Sequence, residues 1–343
     1  MSSGNTARLS QLDAIRGVAA LMVVLFHYSV QYQKFLGADY GVSYAFQWGW
    51  LGVHFFFMVS GFVIFMTLCR TATGADFIVS RFSRLFPAYW LAVLLTALFG
   101  NLLGPPMAHR SATEIAVNLT MLQEFLHVRH VDGVYWTLTC ELIFYGWMFL
   151  LYKFRLLHRI HSVIAVWLAI SAGSFLSLQY FGHFPERVTR YLLLEYAYLF
   201  SAGILFYEIY TRRAKTTTYA LLTLCLVDAG LAHGFGQELV FITVFFAAFL
   251  LVALGKAAFL NLRVLTFFGT ISYSLYLLHE NLGYILLGYL HQRGMNPDLA
   301  IVVTGVLAIG LATLATFLVE RPAMNAIRNF YKTRTAKRLV PAS

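Results

Sequence analysis

The chain has 343 residues, of which 59% are hydrophobic and only 12% charged, and its mean hydropathy is +0.70. That balance excludes a water-soluble domain and indicates a polytopic membrane protein. The net charge of +10 then reads as an insertion signal and an attraction to anionic lipid, and nucleic acid is not an expected partner.

Ten apolar stretches are long enough to span a bilayer, at about 12–32, 48–68, 84–104, 134–153, 161–181, 190–210, 217–233, 237–256, 265–288 and 299–319. An all-α fold of about ten transmembrane helices follows, and an even number puts both termini on one side. With that side cytoplasmic, roughly 19 of the 25 Lys and Arg fall inside, and reversing the topology reverses the bias. The inner clusters are Arg81 and Arg84, then Lys153, Arg155 and Arg159, then Arg212, Arg213 and Lys215, then a tail with Arg328, Lys332, Arg334, Lys337 and Arg338. The first stretch begins with Asp13 and Arg16 and has no small-residue cleavage site after it, so no cleavable signal is expected. One transmembrane domain over 1–343 is expected, with a core of about 10–322, a basic cytoplasmic tail at 323–343 and no appended soluble domain.

In chain order, the first chemistry-bearing residues are Arg16 and His27, on one apolar helix. Eleven residues at ~100° each bring both side chains to one face, ~16 Å apart along the axis. An ionisable group at membrane depth costs roughly 2.5–3.5 kcal/mol, so two on one stripe need a reason. In RFSRLFPAYW, Arg81 and Arg84 sit at i and i+3 where the third span begins and offer a bidentate grip on phosphate or carboxylate. Pro87 is expected in the first turn or at a kink. The segment 105–133 opens with Gly104-Pro105-Pro106, and Ser111-Ala112-Thr113-Glu114 reads as a capping box for a short helix, suggesting an interfacial or re-entrant cover.

Depth arithmetic joins three spans. His27 lies ~22 Å from the inner end of the first, Glu141 of the fourth is ~20 Å from the inner face, and His279 of the ninth is at ~21 Å. Three ionisable groups thus share one layer in the outer half of the membrane, which His54 also approaches. Such groups face the bundle interior and each other, as in an active site or an ion path. The three cysteines, Cys69, Cys140 and Cys225, lie in or at the ends of spans, so neither disulfides nor a metal site is expected.

Six segments in this order resemble the acyltransferase-3 integral membrane proteins, which include bacterial O-antigen and exopolysaccharide O-acetylases. They are LDAIRG with Arg16-x10-His27, GVHFFFMVSGFVIF (Gly52 to Phe65), RFSRLFPAYW, VDGVYWTLTCELIFY (Val131 to Tyr145), SYSLYLLH (Ser272 to His279) and VERP (Val319 to Pro322). His54 is a departure, since many relatives carry an acidic residue there.

The resemblance implies a multi-pass protein of the bacterial inner membrane. It would move an acyl group, most often acetyl, from cytoplasmic acyl-CoA to a hydroxyl of a glycan or lipid-linked glycan. Acyl-CoA is then a co-substrate, with no permanently bound cofactor. Arg16, Arg81 and Arg84 would hold its phosphates, and its thin arm would reach toward His27. His27 suits a base acting near neutral pH, and Glu141 would orient its ring. Trp136, Thr137, Ser60 and His279 would line the site or bond the acceptor and the oxyanion. Direct transfer and an acyl-His27 relay both stay open, as does a separate extracytoplasmic partner for the acceptor step. The rival reading is a transporter or flippase of sugar or anionic substrates, against which stands the lack of paired broken spans in matching halves.

Overall fold

The computed structural model describes residues 10–36 and 40–339, and among these the regular structure is helical with no strand. In chain order the helices are α1 (Ser10–Phe26), α2 (Tyr32–Leu36), α3 (Gly52–Leu68), α4 (Gly74–Leu103), α5 (Ala112–Leu119), α6 (Trp136–Lys153), α7 (Ile160–Phe181) and α8 (Glu186–Tyr191). They continue as α9 (Ala197–Tyr210), α10 (Thr216–His233), α11 (Gln237–Ala253), α12 (Arg263–Leu278), α13 (Glu280–Gln292), α14 (Pro297–Ala315) and α15 (Arg321–Leu339). Two π turns, His27–Gln31 and Thr316–Glu320, join α1 to α2 and α14 to α15.

Six helical stretches are long and apolar enough to cross a membrane: Ser10–Phe35, Gln47–Leu68, Gly74–Leu103, Gly133–Lys153, Leu157–Phe181 and Pro297–Thr335. They carry the first five expected spans and the tenth. The other four are shorter or interrupted. Leu193, left-handed at φ 52°, separates α8 from α9 within the expected sixth span. The expected ninth span is two helices that meet at His279. The third starts ten residues before its expected position, because Thr73 and Asp76 form a capping box ahead of Gly74. Pro87 therefore stands in the middle of α4, neither in its first turn nor at its end.

The described residues divide into two compact units. The first comprises 10–21, 51–63 and 159–272. Its centre is α9, buried along nearly its whole length because α7, α10 and α11 surround it. Gly61 of α3 and Gly203 of α9 let these two backbones touch. A Cβ on either would collide with backbone of the other helix, the close approach that small residues permit between apolar helices.

The second unit comprises 22–50, 64–158 and 273–339, with α4 packed against α13 and α15. Here the expected capping box of α5 is complete: Ser111 Oγ accepts from the Glu114 amide, and Glu114 accepts from the Ser111 amide at 2.8 Å. The Arg129 guanidinium and the Ser111 groups hold the Glu114 carboxyl down to about 2. Asn118 folds the segment back on itself, donating to the carbonyls of Glu114 and Arg129 and accepting from the Val131 amide at 3.0 Å. Tyr89 and Trp90 of α4 then donate to the carbonyls of Asn118 and Leu119. The segment 105–133 is thereby tied to a membrane-length helix, with Asp132 near its end.

Candidate active site

His27 ends the regular winding of α1 and opens the π turn, and such turns are frequent at functional sites. Its Nδ1 lies 2.9 Å from the carbonyl of Val23 and 3.2 Å from Nε2 of His279. His279 Nδ1 lies 2.8 Å from the Tyr276 carbonyl. A carbonyl only accepts, so both Nδ1 atoms carry protons, and His279 Nε2 presents a lone pair to His27. The proton pattern leaves His27 Nε2 as the basic nitrogen of the pair. Tyr28, fully buried, donates to the His279 carbonyl at 2.8 Å and pins the junction of α12 and α13.

The carboxylate set against His27 Nε2 is Glu280, with Oε1 at 3.8 Å. Asp132 supports it. Asp132 Oδ2 accepts from the Asn281 amide at 3.1 Å, capping α13, and Oδ1 accepts from the Val134 amide at 3.3 Å. Asn281 returns a bond to the Val131 carbonyl at 2.8 Å. The Glu280 carboxyl packs closely against the VDG turn, and its Oε2 is buried without a hydrogen-bond partner. Gly133 allows this approach: a Cβ there would sit 2.6 Å from Glu280 Oε2.

The residues expected from sequence are distributed unevenly. His27 and His279 come together in the second unit. Glu141, expected to orient His27, instead accepts from Tyr145, and Arg81 lies over that tyrosine ring at 5.9 Å. Thr137 Oγ1 is 2.9 Å from both the Val134 carbonyl and Tyr276 Oη, so it braces α6 on the residue that fixes His279. Trp136, at the start of α6, is exposed. Arg84 forms an ion pair with the buried Glu320 of the second π turn, and Ser274 donates to the other Glu320 oxygen at 2.8 Å. Arg16, Ser60 and His54 belong to the first unit. There Arg16 lies 3.9 Å from Asp13, Ser60 is buried, and His54 lies ring to ring with His233 at 5.5 Å. The side chains of Lys337 and Arg338 lie outside the described residues.

Glu280 and Asp132 were not singled out from sequence, although each adjoins a segment that was. Glu280 directly follows His279, and Asp132 opens the VDG before the expected fourth span. The signal for Glu280 was adjacency to a polar residue at membrane depth, and for Asp132 its place within VDGVYWTLTCELIFY.

A cavity of about 820 Å³ lies in the second unit beside Tyr28 and Tyr284. Tyr28, Tyr32 and Tyr284 line it on one side, and Phe99, Leu103 and Leu307 on another. Tyr284 lies 6.4 Å from the His27 ring, centre to centre. The hydroxyls of Tyr32, Tyr284 and Thr304 are buried here without a hydrogen-bond partner.

A model described as an acyltransferase domain matches residues 9–321. "Putative acetyltransferase ORF330" of Acidianus two-tailed virus is 27% identical over 298 residues, covering 81% of this chain and 84% of the viral protein. "Protein 2 in picA locus" of Rhizobium radiobacter is 38% identical over 104 residues, 29% of this chain and about half (49%) of that protein's length. No solved structure matches the chain. With matched residues that contain the His27–His279 pair, Glu280 and Asp132, the chain belongs to the acyltransferase-3 family.

Proposed function

We propose that this protein is a membrane O-acyltransferase that takes an acyl group, most simply acetyl, from cytoplasmic acyl-CoA to a hydroxyl of a cell-envelope or exported glycan at the bacterial inner membrane. The observation that carries the reading is the geometry at His27, whose Nδ1 faces the Val23 carbonyl and His279 Nε2 while Nε2 faces Glu280 Oε1 3.8 Å away.

In the proposed step, Nε2 accepts the proton of the acceptor hydroxyl as its oxygen bonds to the thioester carbonyl carbon. The carbon–sulfur bond then breaks, and the imidazolium returns the proton to the departing thiolate. Glu280 interacts more strongly with the imidazolium than with the neutral ring, so its contribution rises as the reaction proceeds, as catalysis requires. General-base assistance of this kind is worth ~10²–10⁴ in rate. The mostly apolar cavity beside Tyr284 supports an acceptor carried on a lipid.

Purified protein in nanodiscs, supplied with radiolabelled acetyl-CoA and an envelope glycan extract, tests the proposal. Transfer of label by the wild type and its loss in His27→Ala, with folding retained, is the expected result. Equal transfer in both proteins would remove His27 from the chemistry, and no turnover or coenzyme A binding in the wild type would overturn the proposal.

A further inference from the structure

The cavity of about 820 Å³ in the second unit runs along α13, with Leu278 at one end and Gln292 at the other, ~20 Å apart at 1.5 Å per residue. α13 is its floor, because it packs on both α4 and α14. The second π turn, Thr316–Glu320, packs on α4 and holds the C-terminal end of α14 to that helix. Toward the start of α14 the cavity separates the two. Thr304, Leu307, Ala308 and Leu311 of α14 line it at i, i+3, i+4 and i+7, one continuous helix face. Phe99 and Leu103 of α4, one turn apart, line the opposite wall.

Two observations point to the occupant. Phe99, Leu103 and Leu307 are exposed, and they stand on Gly74–Leu103 and Pro297–Thr335, both long and apolar enough to cross a membrane. A cavity that opens between two such helices takes up hydrocarbon, since its largely apolar walls offer water few hydrogen bonds. At the Gln292 end, Arg293 lies over the ring of Tyr289, itself a lining residue, at 4.6 Å. An apolar trough with a cation at one rim matches a lipid that bears a phosphate at the head of its chain.

We infer that this trough holds the chain of a phosphate-linked lipid carrying the acceptor glycan, taken up sideways from the bilayer between α4 and α14. The inference rests on the proposed function and adds the place where the carrier sits. The trough is ~20 Å long, more than the ~15 Å that half of a hydrocarbon core gives a phospholipid chain, which favours a longer carrier chain. Gly288 keeps its floor low. A Cβ there would meet only Tyr32 Oη, at 3.5 Å, so no close approach of backbones requires this glycine, and its missing side chain is space. The trough also touches the groups that set the site. Tyr28 lines it and donates to the His279 carbonyl at 2.8 Å, and Tyr284 lines it with its ring 6.4 Å from that of His27. A chain seated there packs on both tyrosines, which ties carrier binding to the geometry at His27.

The test uses radiolabelled acetyl-CoA and the full-length protein in phosphatidylcholine nanodiscs, with one envelope glycan offered on its native lipid and freed from it by mild acid. The wild type is expected to label the lipid-linked form preferentially. Ala308→Trp fills the trough from one wall and Gly288→Leu from the floor. Each is expected to shrink that preference about tenfold or more, because the binding energy of the chain is then lost, and either serves should the other not fold. Val306→Trp, exposed on α14 but outside the cavity, should keep the preference. A preference intact in the filling variants, or labelling of the lipid-linked form by the wild type no better than of the freed glycan, overturns the trough as the carrier site and leaves the proposed function standing. Where the wild type labels neither form, binding of a polyprenyl phosphate decides. Binding lost in Ala308→Trp and weakened in Arg293→Gln keeps the lipid site while the transferase reading fails, and no binding overturns both. Displacement of the polyprenyl phosphate by an equal amount of phosphatidylglycerol would assign the trough to bulk lipid and overturn it as the carrier site.

Discussion

His279 Nε2 lies 3.2 Å from His27 Nδ1, and the Tyr276 carbonyl, 2.8 Å from His279 Nδ1, determines what that contact is. With its own proton directed at the carbonyl, His279 can only accept from His27. A chain of three groups from two helices thus selects the His27 tautomer whose free nitrogen faces Glu280. His279 is a positioning residue by this account, and the two histidines are not interchangeable.

His27→Ala should lower acyl transfer by ~10²–10⁴, the usual worth of a general base. His279→Ala should lower it less, and His279→Gln, whose amide oxygen can still accept from His27 Nδ1, should recover part of the loss. Initial rates of label transfer check the order. Equal losses in His279→Ala and His279→Gln would show that the acceptor at this position is immaterial.

Gly133→Ala is a local probe of Glu280. The added methyl would meet Glu280 Oε2 at 2.6 Å and Oε1 at 2.8 Å. A carboxylate at the end of a flexible side chain can move away, so turnover should fall while the thermal midpoint changes little. A combined fall in midpoint and activity would instead point to damage to the VDG turn.

Arg84→Ala should destabilise the protein by about 3–5 kcal/mol, because it strands the buried Glu320 without its counter-charge. Replacing both groups, as Arg84→Met with Glu320→Leu, should restore much of the loss, since neither charge is then left unpaired. Thermal unfolding of the wild type, Arg84→Met, Glu320→Leu and the double variant in one detergent measures the coupling. Additive losses would mean that the ion pair contributes nothing as a pair.

Low pH should loosen the cover segment. Glu114 is held down to about 2 from an ordinary 4.5, chiefly by Arg129 and the Ser111 amide. Its folded value lies below its unfolded one, so its contribution is present above about 4.5 and is lost as pH falls toward about 2. Hydrogen exchange at the amides of α5 and at Val131 should therefore quicken, after correction for intrinsic rates, between pH 5 and pH 3 in the wild type. Glu114→Gln should show faster exchange already at pH 5 and little further change. The same pH response in both proteins would place the sensitivity elsewhere.

Composition and hydropathy sufficed for the all-helical membrane class, because burial in lipid demands long apolar helices whatever their packing. The capping box at Ser111 and Glu114 was equally legible, being a contact between residues three apart. Depth counting along single helices brought His27 and His279 to one layer, since the rise per residue is constant. It could not choose among the carboxylates. Glu141 and Glu280 lie on different helices, and a depth says nothing about which way a side chain faces. The break at His279, the Asp132 cap on Asn281 and the space above Gly133 together assigned Glu280 to His27. The arginines divide in the same way. The i, i+3 spacing of Arg81 and Arg84 is a local property, whereas the pairing of Arg84 with Glu320 spans 236 residues. The sequence by itself determined the elements and the kinds of chemistry they carry, because those depend on neighbours along the chain. Only the tertiary structure decided which charges meet, because that depends on helices brought together by packing.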